Sequence, residues 1–519
     1  MENQFDIKNI PAEKFEFAQT GENLHDEKFK TKPIGYLQDA WIRFKKNKAS
    51  IAATVIIICV ALYAIIVPFI SNYKLSDRDG VYSKSRPYIP ALSFISAFDG
   101  GYDQKVNDKF LEYYVGIGMA AEDPMGQGGV SWEEALASKY NPVISIGEEE
   151  LQMGKTYRII RTHSYFAKGF QYLSLTQAQY QDIVDYQNET GIQVLYPMVD
   201  TNASDVFNVN NASDANFWYK HSANGTPVDA NGRQLPLKQV MATGLVDNYI
   251  RDEQGNVVYF IEKDKTMVQV RVLYYNYYQY INGAEPTHYL GTDGQGYDIF
   301  VRLAYGLRTS LLLAVFVSVI NLVFGAIYGA IEGYYGGWID LIGERISDVL
   351  SGIPFMVLAT LVQLHLVSTG IMPTFAGVLL AFCLTGWIGV SYRVRTQFYR
   401  FKNQEYVLAA RTLGARDGRL MFKHIFPNAL GTIITSSILI IPSTILSETT
   451  LSYLGIVNFQ GATSTSLGTM LANGKAYLST DPHIIAMPAI AISLLMISFN
   501  LFGNGLRDAF NPSLRGVEE

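Results

Sequence analysis

The stretch Glu405–Asn428, EYVLAARTLGARDGRLMFKHIFPN, holds the densest cluster of residues whose types and spacing suggest a task. Tyr406, Ala409, Ala410 and Leu413 recur at i, i+3, i+4 and i+7, so a helix puts them on one face. Ala409 and Ala410 are small and let another surface approach closely, and Gly414 permits a backbone conformation closed to other residues. Leu420, Ile425 and Phe426 supply apolar contacts for a second short helix. The chemistry on offer is mechanical: a short helix on a hairpin, either packed on its own neighbours or fitted into a partner's groove. Glu448 is the other conspicuous group, a carboxylate at the end of an apolar run. An ionisable group there is costly and faces a bundle interior or water. It could touch a substrate amine or a gate, and the blander reading is a helix-end contact with a neighbouring loop.

Signatures of covalent chemistry are missing. The chain has no G-x-x-x-x-G-K-[ST] phosphate loop, H-E-x-x-H, C-x-x-C or G-x-S-x-G, so no catalytic, metal or cofactor-binding residue is assigned. The two cysteines, Cys59 and Cys383, fall in apolar runs and are expected as small buried hydrophobes. A net charge of −6 argues against nucleic acid as a partner.

The elements that must position these residues are membrane spans. Of the 519 residues 49% are hydrophobic, and the mean hydropathy is just above zero, which fits spans joined to a water-exposed domain. Six apolar segments, Ser50–Ile70, Thr309–Ala330, Val349–Val367, Thr374–Val390, Asn428–Leu446 and Ile484–Phe502, approach the ~20 residues that cross a bilayer core. Residues 1–49 form a polar tail, with a short interfacial helix expected around Ile34–Phe44. Arg43, Lys45, Lys46 and Lys48 precede the first span, which predicts a cytoplasmic N-terminus. Six spans then return the C-terminus to the cytoplasm. The segment 393–427 becomes cytoplasmic too, and it carries Arg393, Arg395, Arg400, Lys402, Arg411, Arg416, Arg419 and Lys423. Arg302 and Arg308, before the second span, run against the charge rule. Asn321 and Gln363 are polar within spans and are expected to bond between helices. Glu344, Arg345 and Asp348 are expected to form an ion-pair cluster.

Residues 71–295 have no apolar run long enough to span and are expected to form an α+β extracytoplasmic domain between the first two spans. Leu175, Tyr180, Ile183, Val184 and Gln187 suggest a helix between Ser174 and Gly191. Tyr249–Arg251 and Val257–Glu262 suggest a hairpin turning at Gln254-Gly255-Asn256, and Met267–Tyr275 a further strand. Asn231-Gly232 suggests a tight turn, and Asn202-Ala203-Ser204 is a glycosylation triplet that matters only in a glycosylating host.

The segment 405–428 resembles the EAA loop of binding-protein-dependent ABC importers, with Glu405, Ala409, Ala410, Gly414, Ile425 and Pro427 at matching positions. Residues from about 288 to 515 resemble the C-type oligopeptide and dipeptide permeases of that family. The motifs are HYLGTDGQGYDIFVRLAYGLRTSL (His288–Leu311), GYYGGWID (Gly333–Asp340), SETTLSYLG (Ser447–Gly455) and NLFGNGLRDAFNP (Asn500–Pro512). The resemblance implies six transmembrane helices of the type I ABC importer fold in a bacterial cell membrane, with 296–519 as permease core. It further implies a second, B-type permease subunit, two ATPase subunits holding ATP and Mg, and an extracytoplasmic substrate-binding protein. The loop would contact the ATPase, and the cargo would be oligopeptides or dipeptides. Nickel and other small solutes use similar permeases. The sequence departs from the pattern in two places: Asn504 stands where the branch usually has Asp, and the family says nothing of 71–295. A membrane-anchored receptor or enzyme working through that domain is the rival reading. It would need a catalytic cluster there, and His163, His221 and His288 lie far apart in sequence.

Overall fold

The computed structural model describes residues 36–126, 130–152, 155–199, 249–459, 461 and 464–510. The glycosylation triplet, the Asn231-Gly232 turn, His221, most of the N-terminal tail and Asn511-Pro512 of the last motif lie outside the described residues.

The described residues begin with two helices, α1 (Tyr36–Lys46) and α2 (Lys48–Ile70). Asn47 separates them, and its side chain accepts from the Ser50 amide at 3.2 Å as the cap of α2. Phe44 of α1 is buried beside Phe502, and Ser50 donates to the Leu501 carbonyl at 3.2 Å, so the first and last of the described helices pack together. Along α2, Val55, Ile58, Leu62, Ile65 and Phe69 are exposed, as expected of a helix that meets lipid. Cys59 lies exposed in that helix, not buried as its apolar surroundings suggested, and Cys383 is half-buried.

Between α2 and the next long helix the chain forms an α+β insert. Its first sheet has the antiparallel order β1 (Gly101–Asn107), β3 (Lys155–His163), β2 (Val143–Gln152), with α3 (Asp108–Ala121) and α4 (Trp132–Ala137) packed nearby. The second sheet runs β4 (Phe170–Thr176), β7 (Met267–Leu273), β5 (Leu195–Tyr196), with β6 (Phe260–Glu262) also on β7. Helix α5 (Gln177–Thr190) starts at a Thr176/Gln179 capping box and stops at Gly191, whose φ is +72°. Leu175, grouped with this helix by periodicity, belongs to β4: the capping threonine ends the strand before the helix begins. The expected hairpin closes through an isolated Arg251–Val257 bridge, and only Phe260–Glu262 of its second arm is regular strand. The strand expected to reach Tyr275 ends at Leu273, where α6 (Tyr274–Asn282) takes over.

The rest is helical: α7 (Ile299–Tyr335), α8 (Gly337–Ser351), α9 (Phe355–Val362) with a π-helical turn Gln363–Val367, α10 (Thr374–Thr385), α11 (Ile388–Phe401), α12 (Glu405–Thr412), a turn Asp417–Arg419 with a π-helical turn Leu420–Ile425, α13 (Phe426–Ile438), α14 (Ile440–Tyr453), α15 (Leu467–Gly474) and α16 (His483–Phe510). Among the described residues four helices are long and apolar enough to cross a membrane: α2, α7, Thr374–Phe401 and α16. Two bent pairs bring the number to six if each is one span.

The bends correct two expected spans. Val349–Val367 is broken at Gly352–Pro354, where α8 and the helix after it meet at 74°. Pro354 has no amide to donate and disfavours helix in the residue before it. Asn428–Leu446 is broken at Leu439 with a 43° bend, three residues before Pro442, whose missing N–H leaves the Ile438 carbonyl without its helical donor. Short helix α15, in the loop between the last two spans, was not anticipated.

Candidate coupling hairpin and its anchors

The hairpin is held by residues that point away from its most distinctive face. Val407 is fully buried, and with half-buried Ala410 it packs beside Leu420, Met421 and Ile425 against Val394 and Phe398 of α11. The α12 residues Tyr406 and Ala409 stay exposed, with Leu413 just past its end 88% exposed. The sequence left open whether this face packs on its own spans. In the structure it does not, and only Ala410 of the four expected face residues turns inward.

The turn itself is conformationally specified. Gly414 has φ +83°, its amide donates to the Arg411 carbonyl at 2.9 Å, and the Ala415 amide donates to the Ala410 carbonyl at 3.1 Å. A Cβ at Gly414 would meet nothing within 4 Å, so the glycine answers a backbone requirement and not a steric one. Glu405 is exposed in the first turn of α12, where a carboxylate complements the helix N-terminus. Ile425 is fully buried, and Pro427 is exposed in the first turn of α13, where its missing N–H leaves no helical bond unmade.

Residues outside the sequence motif tie the hairpin to the bundle. The Tyr334 hydroxyl, at the end of α7, donates to Asp417, and Arg411 donates to the same hydroxyl at 3.4 Å. Asn428 donates to the Tyr406 hydroxyl at 3.2 Å. Arg395 of α11 grips Asp340 of α8 through two bonds of 2.6 and 2.9 Å and reaches Glu344 at 3.1 Å, while Tyr399 donates to Asp340 at 2.6 Å. The expected cluster is therefore divided: Arg345 pairs with Asp348 at 3.0 Å on the surface, and Glu344 turns to Arg395. Gly325, Gly329 and Gly333 give α7 a smooth stripe against α11. A Cβ on Gly325 would lie 2.6 Å from the Trp387 carbonyl oxygen, and one on Gly333 2.6 Å from the Phe398 Cβ. This stripe escaped the sequence reading, although its G-x-x-x-G-x-x-x-G spacing is the signal for close helix packing. Asn321 is buried with its Oδ1 unpartnered among the described residues, and Gln363 Oε1 is the same, so neither oxygen makes the interhelical bond expected of it.

Glu448 lies in α14, 1% exposed. Its carboxylate accepts from Ser452 at 2.9 Å, Ser466 at 2.7 Å and Ser310 at 3.1 Å. Ser466 also caps α15, accepting from the Thr469 amide at 3.1 Å. One side chain thus joins α7, α14 and α15. In this conformation both oxygens are occupied by the chain's own hydroxyls, the helix-end arrangement anticipated as one of its two readings.

The insert is bolted to the spans beside it. Arg302, buried at 2% exposure, pairs with Asp293 at 3.4 Å and lies over the Tyr297 ring, which accounts for a cation that the charge rule disfavoured. Burial raises the Asp293 carboxyl, with Arg302 and three backbone amides opposing. Arg86 donates to the Thr480 carbonyl at 2.9 Å and pairs with Asp481 at 3.3 Å, just before α16. His163 and His288, distant in sequence, both lie beside the Tyr165 ring, at centroid distances of 5.7 and 6.0 Å. Burial lowers the His163 imidazole to about 4, with Asp99 weakly opposing. The His288 Nδ1 bonds Asp298, the cap of α7, at 2.7 Å. Among the described residues no three His, Cys, Asp or Glu side chains converge as a metal site.

Residues 321–516, which include the hairpin and Glu448, match the binding-protein-dependent transport system inner membrane component family. The oligopeptide transport system permease protein OppC of Bacillus subtilis is 40% identical over 228 residues, 44% of this chain and 72% of that protein. The chain belongs to the oligopeptide and dipeptide ABC permease family. Residues 35–87 of this ABC permease also match the N-terminal transmembrane domain of oligopeptide transport permease C. The dipeptide transport system permease protein DppC of B. subtilis is 41% identical over 229 residues (44% of this chain, 69% of that one). The glutathione transport system permease protein GsiD of Escherichia coli O1:K1 / APEC is 36% identical over 243 residues (47% and 78%). The permease is thus a membrane-embedded subunit of the type I ABC importer fold, in a family where separate ATPase subunits hydrolyse ATP. Residues 88–320 lie outside both family matches, so most of the insert has no family counterpart there.

Proposed function

We propose that this permease forms half of the translocation pathway for oligopeptides or dipeptides, paired with a B-type permease and driven by two ATPase subunits that bind ATP and Mg. The single observation that carries the coupling role is the exposed Tyr406–Ala409–Leu413 face beside buried Val407. It is an apolar face presented on an anchored element, as a helix that seats in a partner's groove requires. Glu405, Ala409, Ala410, Gly414, Ile425 and Pro427 serve contact, turn and anchor. Glu448 acts as a joint at the end of the fifth span, through which opening of the path is controlled. Both termini and the hairpin lie in the cytoplasm, and the insert lies outside, where a substrate-binding protein delivers cargo.

Co-purification of the ATPase with wild type and Ala409→Glu tests the contact. A charge on this face removes the ATPase and abolishes peptide uptake while the second permease subunit is retained. Full ATPase recovery with Ala409→Glu refutes it. Orientation is tested by Thr412→Cys, which impermeant thiol reagents label in inverted vesicles and not in intact cells.

A further inference from the structure

A cavity of about 520 Å³ opens where the insert meets the spans, between the residues after α2, helix α6 and the segment leading into α7. Its size falls within the range of small-molecule sites. Tyrosine rings form much of its wall: Tyr73, Tyr274, Tyr277 and Tyr278. Carboxylates supply its charge. Glu285 is paired with Lys139 at 2.9 Å, and Asp298 is committed to His288 and the cap of α7. Asp77 and Asp79 are different. Asp77 accepts from the Lys74 amide and Ser76, while Asp79 accepts from two backbone amides and the Tyr274 hydroxyl. All these donors are neutral, and neither carboxylate has an ion pair among the described residues. Arg78, the one Lys or Arg in the lining among the described residues, gives its Nε–H to the Gln295 carbonyl at 2.9 Å. His288, 3% exposed and stacked on Tyr73 at 4.5 Å, also lines the cavity, and its Nε2 has no partner among the described residues.

Lys168 feels the charge of Asp79 but bonds the Ser83 carbonyl rather than the carboxylate, so Asp77 and Asp79 keep no direct ion pair. Aromatic faces beside such carboxylates attract cations, and ammonium groups in particular. We infer that this cavity binds an organic ammonium group, held over the Tyr277 ring and beside Asp77 and Asp79. Asn72 and Tyr73 directly follow α2, which ends at Ile70, so the cavity stands at headgroup height. The same ammonium chemistry can therefore arrive on a soluble amine or on an ethanolamine lipid headgroup.

The test uses the full chain in nanodiscs of phosphatidylglycerol, which carries no amine. One arm titrates ethanolamine by calorimetry, with acetate as the charge control. The other adds phosphatidylethanolamine and measures its retention by native mass spectrometry. Saturable binding in either arm is expected, and the arm that saturates names the source. Asp77→Asn keeps the acceptor for the Lys74 amide and removes the charge, and Tyr277→Leu removes a ring face. Each is expected to weaken binding tenfold or more with an unchanged melting temperature. No saturable binding in either arm overturns the inference. So does acetate binding as tightly as ethanolamine, or affinity unchanged in both variants.

Discussion

Substitution of Gly414 separates backbone shape from surface contact at the candidate coupling hairpin. Its φ of +83° and the open space around its Cβ mean that a new side chain meets no atom of this chain, so conformation alone resists it. Holding an ordinary L-residue in that region costs roughly 1–2 kcal/mol, a factor of about 5 to 30 in the population of the correct turn. Asparagine tolerates the region better than alanine, and β-branched valine worse. Where the distorted turn does not bind, the apparent Kd for the ATPase rises by the reciprocal of the competent fraction. We therefore expect an affinity order of Gly, then Asn, then Ala, then Val, with Gly414→Val weaker by up to about 30-fold. The assay is binding of purified ATPase to the two-permease complex in nanodiscs, with uptake of labelled peptide as a second measurement. Equal affinity for Gly, Ala and Val would refute the backbone argument. Asn binding as weakly as Val would place the effect on contact between the new side chain and the ATPase.

Three further outcomes are expected. Gly329→Leu drives a side chain into the Ser391 carbonyl of α11 and should lower stability by about 1–3 kcal/mol or more, whereas Gly389→Ala, whose nearest neighbour would be 3.9 Å away, should be neutral; melting of the purified chain distinguishes them. Glu448→Leu removes the acceptor of the Ser310 and Ser452 hydroxyls, at roughly 1–3 kcal/mol each, while Ser466 keeps Thr469 as acceptor; it should lower the Tm far more than Glu448→Gln, which keeps an acceptor; equal Tm values would show that the joint is not structural. Burial of His163 opposes its protonation in the fold, so the unfolded chain binds more protons between pH 6.5 and 4. Its contribution is complete above pH 6.5 and is lost as pH falls towards 4, by at most about 3 kcal/mol. His163→Phe should flatten the melting curve against pH over that window, and an unchanged slope would assign the acid sensitivity to other groups.

The hairpin was legible because its information is local. Spacing alone grouped Tyr406, Ala409, Ala410 and Leu413, of which only Ala410 turns inward, and a glycine at the helix end announced the turn at Gly414. The spans were legible in composition but not in shape. A hydropathy run cannot show that Pro354 turns the chain through 74°, because a proline inside a span can equally be absorbed by neighbouring helices. Whether the hairpin face was covered also had no sequence signal, since it depended on Val407 and Ala410 finding α11. The Glu448 joint was half legible: the carboxylate was conspicuous, but two of its partners, Ser310 and Ser466, come from distant elements. In the insert, Leu175 fitted the helical period while Thr176 was already acting as the cap, so a local hydrogen bond overrode periodicity.

Helix α7 supplies a physical link between these separate features. At 37 residues it is ~55 Å long, at 1.5 Å per residue. At one end Tyr334 is bonded to Asp417 of the hairpin. Along the same half, Gly325, Gly329 and Gly333 bring it into direct backbone contact with α11, so the two helices cannot slide without losing that fit. In its other half Ser310 holds Glu448, and hence α14 and α15. At the far end Asp298 caps it and Arg302 pairs with Asp293 of the insert. A displacement at the hairpin is therefore received by an element whose interior hydrogen bonds resist bending, and which has no internal proline. Beyond it the neighbouring spans are broken at Gly352–Pro354 and Leu439, where helical bonds are already missing, and the proposed coupling would place its hinges there. In the proposed coupling, rigid α7 with hinges on the neighbouring spans would turn a push at one end into a change of angle at the other, and the Glu448 joint is where that change would have to be accommodated.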